Sequence, residues 1–237
     1  MKQSRIGSRI GTQMRGQFEE LYARRGGKTA YITVTYSMKA AIDVGLLGRT
    51  NYLNYLACEG DPLIERVQYK PQRCLAEVGV TAAVVTRQRI LQLRVVRAKR
   101  IDTEKLSPLL DHYAEQFRQK ALRSPCAFDD VEILSLGSQD LVTGHEVALR
   151  NWHELVPWVA QARFHRLERL EQLFADLLVT RGQLTTGQVM ALALQMEESP
   201  ALLMAAAIRG VACGRWMSDF DIAPFGAHSV FRLGASQ

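Results

Sequence analysis

The apolar positions of this chain repeat in two different ways along its length. Residues 29–36 (TAYITVTY) alternate apolar with polar side chains and are β-rich, which predicts a strand. A short helix is expected over 37–44, then a break from Gly45 to Gly48. Residues 46–58 form a helix-like run with Thr50 as its cap and Tyr52, Leu53, Leu56 and Ala57 at helical spacing. Glu59-Gly60-Asp61-Pro62 ends it. Runs at 64–69, 78–85 and 90–96 read as strands, the last two joined by Thr86-Arg87-Gln88-Arg89 as an antiparallel hairpin. Asp102 or Thr103 caps a helix over 102–122, with Leu106, Leu109, Leu110, Tyr113, Phe117 and Leu122 on one face. Residues 131–136 (VEILSL) read as a strand, and 140–159 hold a helix ending near Pro157.

From residue 160 the period is helical. Phe164, Leu167, Leu170, Leu173, Phe174 and Leu177 make an apolar stripe within a helical stretch over 160–199. Thr185-Thr186-Gly187 opens a second helix and Ser199-Pro200 a third, proline being favoured in a first turn. Short strands are expected at 213–217 and 229–233. Three helices followed by a β-hairpin is the order of a winged-helix module. The expected organisation is therefore a basic arm (1–28), an α/β (α+β) domain with a mixed sheet (29–159) and a mainly helical, winged-helix-like domain (160–237).

Charge sharpens this division. Residues 1–100 hold 18 Lys and Arg against 7 Asp and Glu, whereas residues 101–237 hold 12 against 17. A basic half joined to an acidic half predicts two surfaces with different partners, the first suited to a polyanion such as double-stranded DNA. The composition, 47% apolar and 23% charged, is that of a globular protein. No run reaches 18 apolar residues, so no membrane span is expected. The N-terminus is basic without an apolar segment, which suits a DNA-contacting arm rather than a secretory signal. Cys58, Cys74, Cys126 and Cys213 are scattered, as are the five histidines. No metal-ligand spacing emerges, and free thiols in a reducing, cytoplasmic (nucleoid-associated) setting are expected.

Asn51-Tyr52-Leu53-Asn54-Tyr55-Leu56, then Asp61-Pro62, then Tyr69-Lys70-Pro71 resemble the N-terminal part of TnsA-like endonuclease subunits of heteromeric transposases. The closing segment, Gly214 to Asp221 with Pro224, is similar to that family's end. The resemblance implies a restriction-endonuclease-like PD-(D/E)XK core followed by a winged-helix-type domain. It also implies DNA as ligand, with a DDE-type transposase and an AAA+ ATPase regulator as partners. In the family a helix carries a catalytic Glu, one strand a metal-binding Asp, and the next a Glu-Val-Lys type motif.

Counted from Asp61-Pro62, those positions fall here on Asn51, on Ala82 or Ala83, and on Arg94 and Val96, while the Gln of a Gln-Pro pair is Lys70. Hard oxygen ligands for Mg²⁺ are thus replaced by an amide, a methyl and a cation, and Arg94 attracts phosphate rather than a metal. The expectation is a catalytically degenerate, DNA-binding subunit that positions DNA ends and bridges transposase and ATPase, with no catalytic or metal-binding residue. The expected DNA contacts are Arg24, Arg25, Lys28, Arg49, Lys70, Arg87, Arg89, Arg94, Arg97, Lys99 and Arg100. Two alternatives stand beside it. One is an active Mg²⁺-dependent nuclease in a shifted alignment that uses Glu77 and Lys99. The other is a winged-helix DNA-binding regulator without nuclease ancestry.

Overall fold

The structure, a computed structural model, describes residues 32–69, 71–97, 108–123 and 125–234. The basic arm with Arg24, Arg25 and Lys28, together with Lys70, Lys99, Arg100, Asp102 and Thr103, lies outside the described residues. Within them the chain is mixed α/β, with eight helices and a mixed four-stranded sheet.

Strands β1 (Ile32–Ser37) and β2 (Ile42–Leu47) form an antiparallel hairpin. The helix expected over 37–44 is therefore absent: 38–41 turn the chain, with Ala41 in the left-handed region, and Gly45 sits inside β2. Helix α1 (Arg49–Gly60) follows, with Gly48 rather than Thr50 at its N-cap. β3 (Ile64–Gln68), β4 (Ala82–Thr86) and β5 (Ile90–Arg97) are antiparallel neighbours. A single-turn helix α2 (Arg73–Glu77) precedes β4, which starts four residues later than the strand expected at 78–85. α3 (Pro108–Arg123) then carries the chain back so that β6 (Asp130–Gly137) lies parallel to β5. A parallel pair needs such a crossover, because no tight turn can make it.

The sheet order is β3-β4-β5-β6. One face buries Leu91, Leu93, Val95 and Ala83 under Leu110 and Ala114 of α3. The other buries Ile64, Val67, Ala82 and Val84 under Cys58 of α1. The alternation of β5 follows from this, since successive side chains leave a strand on opposite faces.

α4 (Ser138–Val142) and α5 (Glu146–Ala162) lead into the C-terminal elements; Pro157 lies inside α5 instead of ending it. α6 (Glu168–Arg181) is followed by a short strand β7 (Gln183–Thr185), unanticipated in the helical reading of 160–199. Next come α7 (Thr186–Gln195), α8 (Pro200–Ala212), β8 (Trp216–Ser218) and β9 (Val230–Leu233), with sheet order β7-β9-β8. Thr185 caps α7 in a reciprocal box with Gln188, and Ser199 caps α8 ahead of Pro200, as the sequence predicts.

α8 is apolar on nearly every side and buried along most of its length. It packs against α5, α6 and α7, within an apolar cluster that also takes in Tyr55 and Leu56 of α1 and Val44 of β2. Residue 159, the expected domain boundary, lies in α5, inside this cluster. Two close approaches fix it. Trp152 of α5 lies against the bare Cα of Gly60, and Trp216 lies against Gly210, where a methyl group would come within 1.8 Å of the indole. Trp216 also donates its N–H to the Ala207 carbonyl at 2.7 Å. Glu171 of α6, 6% exposed, accepts both ends of the Arg215 guanidinium at 2.6 Å and lies 3.3 Å from the Nε of Arg209.

Gly210→Ala tests this packing. In an open helix the change stabilises by about 1 kcal/mol; here it is expected to destabilise by about 2 kcal/mol through overpacking against Trp216. Urea unfolding of the two proteins measures the difference, and a rise in midpoint would contradict the packing.

Candidate functional site

Helix α1 carries Asn54 and Cys58 one turn apart, both turned toward β5. There they meet Arg94, which is 8% exposed. Its Nη1 donates to Asn54 Oδ1 at 3.2 Å and to Cys58 Sγ at 3.1 Å. Its Nη2 and Nε donate to Gln92 Oε1 at 2.8 and 3.3 Å. Every one of these partners is neutral. Burial also pushes the Cys58 thiol up to about 11, the nearby guanidinium only partly opposing it, so the sulfur stays protonated at neutral pH.

The sequence reading groups Asn51 with Ala82 or Ala83 and Arg94; of the two asparagines it is Asn54 that the structure brings to Arg94. Asn51 turns away and donates its amide to the Leu47 carbonyl at 2.8 Å. Asn54 takes its place beside Arg94. On the sheet, Ala82 rather than Ala83 is level with Arg94, and Leu134 of β6 continues the row. Ala83 faces α3 on the other side of the sheet. Val96 shares the face of Arg94 and is buried. Among the described residues no group of three or more His, Cys, Asp or Glu is placed to hold a metal ion. Glu77 sits at the exposed end of α2, paired with Arg73 at 2.9 Å, rather than at the start of a strand.

The basic residues expected to meet DNA divide into three groups. Arg94 is interior and does not reach a duplex surface. Arg87 and Arg89 are the first and last residues of the β4–β5 turn but are committed within the fold. Arg87 donates to the Pro62 carbonyl at 2.9 Å and to the Cys213 carbonyl. Arg89, in the left-handed region at φ 61°, forms a two-pronged pair with Asp129 at 2.7 and 2.9 Å. The turn is three residues long (87–89), because Thr86 belongs to β4. A positive φ at the last residue is how such a loop rejoins its strand. Arg49 and Arg97 are exposed at the start of α1 and the end of β5.

A second polar cluster was not legible in the sequence. Glu59 at the end of α1 is fully buried. It accepts from Ser37 at 2.6 Å, Tyr69 at 2.9 Å, and the backbone N–H groups of Met38 and Lys39 at 2.8 and 3.3 Å. The carboxylate thus fastens the β1–β2 turn to α1. Burial pushes its pKa up, while these donors and the Lys39 ammonium pull it down. Lys39, donating to the Asp61 carbonyl, is itself lowered to about 8, first by burial and against the pull of Glu59.

A cavity of about 420 Å³ opens beside Arg94. Arg94, Leu134 and Leu136 line it from the sheet, α1 lines it from one side, α4 and α5 from another, and Asp61 and Asp221 also border it. Burial raises the Asp221 pKa, His145 lowers it, and Asp61 raises it.

The depressed Lys39 pKa has a pH consequence. Between pH 8 and its ordinary value near 10.5, the unfolded chain holds a proton the folded chain has released, so stability rises with pH. Cys58, pushed up to about 11, opposes this from about pH 9, and Tyr55 and Tyr69, also pushed up by burial, at higher pH; all three are common to wild type and variant and drop out of the difference between them. The stability difference between wild type and Lys39→Met, followed by urea unfolding from pH 7 to 9.5, is expected to shift in favour of wild type above pH 8; a flat difference would contradict the burial of the ammonium.

Comparison of the chain with protein-family models, with curated proteins and with solved structures returned no match.

Proposed function

We propose that this chain is a DNA-binding, non-cleaving relative of TnsA-like endonuclease subunits that positions DNA ends within a transposition complex. The observation that carries the reading is the conjunction of topology and substitution. A helix, three antiparallel strands, a crossover helix and a parallel fourth strand make the mixed sheet β3-β4-β5-β6, the arrangement expected of a restriction-endonuclease-like core. On the face where such a core would hold its acids, α1 and the two central strands present Asn54, Ala82 and Arg94. An amide, a methyl and a guanidinium do not bind or activate a metal-bound water.

The C-terminal order α6-β7-α7-α8 and the β8–β9 hairpin supports a winged-helix-type module. Its third helix, the one that enters the major groove when such a module reads DNA, is here α8, which is buried. Its cation Arg209 is paired with Glu171. This favours protein docking over groove reading for the module. A transposase of the DDE type or an AAA+ ATPase is the partner the family resemblance implies, and the acidic balance of residues 101–237 suits a basic partner surface. DNA affinity in this reading comes from exposed cations of the basic half, including Arg49 and Arg97, together with Arg24, Arg25 and Lys28 of the arm. Contacts of that kind position a duplex without specifying sequence.

Fluorescence anisotropy with a labelled duplex over a range of salt tests the reading. Charge reversal at Arg49, Arg97, Arg24, Arg25 and Lys28 is expected to weaken binding and to flatten the log–log salt slope by ~0.9 for each phosphate no longer neutralised. Unchanged binding would refute the proposed surface. Plasmid incubated with Mg²⁺ or Mn²⁺ is expected to stay intact. Nicking that disappears in Glu77→Ala would replace this reading with that of an active nuclease.

A further inference from the structure

The cavity beside Arg94 has features that neither the polar cluster nor DNA binding explains. Its size lies within the ~300–1,000 Å³ of small-molecule sites. Its floor holds a cation that is nine-tenths buried and whose hydrogen-bond partners are neutral. A guanidinium offers five N–H groups. The contacts to Asn54, Cys58 and Gln92 account for Nε, for both Nη1 positions and for one on Nη2. One donor is left over, on a side chain that lines the cavity.

A second, independent donor is also left over. Trp152 is 2% exposed and lines the same cavity, with its indole nitrogen against the Cα of Gly60. Among the described residues that N–H donates no hydrogen bond, whereas the indole of Trp216, also buried, donates to the Ala207 carbonyl. Buried donors in folded proteins nearly always find acceptors, so two orphans on one cavity mark a place for an external one. A buried charge with no ion-pair partner among the described residues strengthens the preference for an anionic acceptor.

The cavity also has a side of opposite polarity. Asp61, Asp140 and Asp221 all line it, with His145 beside them. Asp140 accepts from the Gly137 N–H at 2.9 Å and is engaged within the fold, whereas Asp221 is exposed on the loop after β8. Asp61 uses Oδ1 to accept from the Leu63 N–H at 2.8 Å, which leaves Oδ2 for a further partner. The rest of the lining is largely aliphatic, including Leu56, Leu141 and Leu149. A cationic floor, apolar walls and a carboxylate border define the chemistry of the occupant: one anionic group, one cationic group and a compact apolar body.

We propose that this cavity binds a small zwitterion of the amino-acid type, its carboxylate held by Arg94 with the Trp152 N–H, its ammonium by Asp221 and Asp61. The proposal does not rest on DNA binding, and either can fail alone. A ligand there bridges α1 and β5 on one side to α5 and the loop after β8 on the other, so its binding would couple the sheet to the C-terminal elements.

Titration calorimetry and thermal shift on the full chain test it, with L-leucine and L-phenylalanine as probes. Each is compared with its analogue lacking the amine (4-methylpentanoate, 3-phenylpropanoate) and lacking the carboxylate (3-methylbutylamine, 2-phenylethylamine). At least one zwitterion is expected to bind and raise Tm, and both of its truncated analogues to bind at least about tenfold more weakly. Asp221→Asn, at an exposed loop position that leaves the fold intact, is expected to weaken the zwitterion about tenfold while leaving the amine-free analogue unchanged. Arg94→Met is expected to abolish binding of both; should it fail to fold, the Asp221→Asn comparison decides alone. Absence of binding by every probe at ~10 mM, equal affinity for zwitterion and truncated analogue, or an unaffected Asp221→Asn protein would each overturn the proposal.

Discussion

Helix α1 has its two long faces covered by different chemistry. Toward the sheet it offers Asn54 and Cys58, which receive the Arg94 guanidinium. Toward the C-terminal helices it offers Tyr55 and Leu56, which enter the main apolar cluster. Its last full turn adds Glu59, which collects four donors from the β1–β2 turn and Tyr69. A helix so placed is not amphipathic in the ordinary sense, because no broad stripe of it is left for water. The mixed sheet, the hairpin and the helical unit are positioned relative to one another because each is fastened to the same twelve residues.

The polar face of α1 also constrains what the site can do. Removing a guanidinium from water costs several kcal/mol unless its N–H groups are met. Here an amide, a thiol and a glutamine meet most of them, and none brings a negative charge. That is a different solution from a metal site, in which carboxylates converge and a divalent ion supplies the compensation. The two are mutually exclusive in one pocket: a cation at the position of Arg94 raises the cost of bringing a second cation near it.

The sequence was most informative where one residue decides a local geometry. Ser199-Pro200 and Thr185-Thr186-Gly187 locate two helix starts because capping is a property of neighbours in the chain. The β5 alternation and the helix before Asp61-Pro62 were legible for the same reason. Elements that depend on distant partners were not. The six residues of β2 hold a Gly and an Asp and look like poor strand, yet pairing with β1 makes them one. α2 is a single turn, too short for any period to register. Asn51 and Asn54 are both polar residues of one helix, three positions and about 60° apart, so a count back from the turn picks a residue without fixing which one faces the sheet. Arg87 and Arg89 read as free cations because the carbonyls of Pro62 and Cys213 and the carboxylate of Asp129 lie 25, 126 and 40 residues away. The cavity draws Trp152 and Asp221 from still other elements, and no spacing rule joins them to Arg94.

The double burial of α1 has a consequence for synthesis on the ribosome. Its main apolar partner α5 ends at Ala162 and α1 ends at Gly60, so about 100 residues must be added before that face is covered. At roughly 5–20 residues per second the interval is on the order of 5–20 s. During it the sheet can assemble around β3 to β6, while Tyr55 and Leu56 remain open to solvent on its back. The nascent chain is therefore an adhesive object through much of its elongation, and a slow or paused ribosome lengthens the time in which holdase chaperones are its only cover.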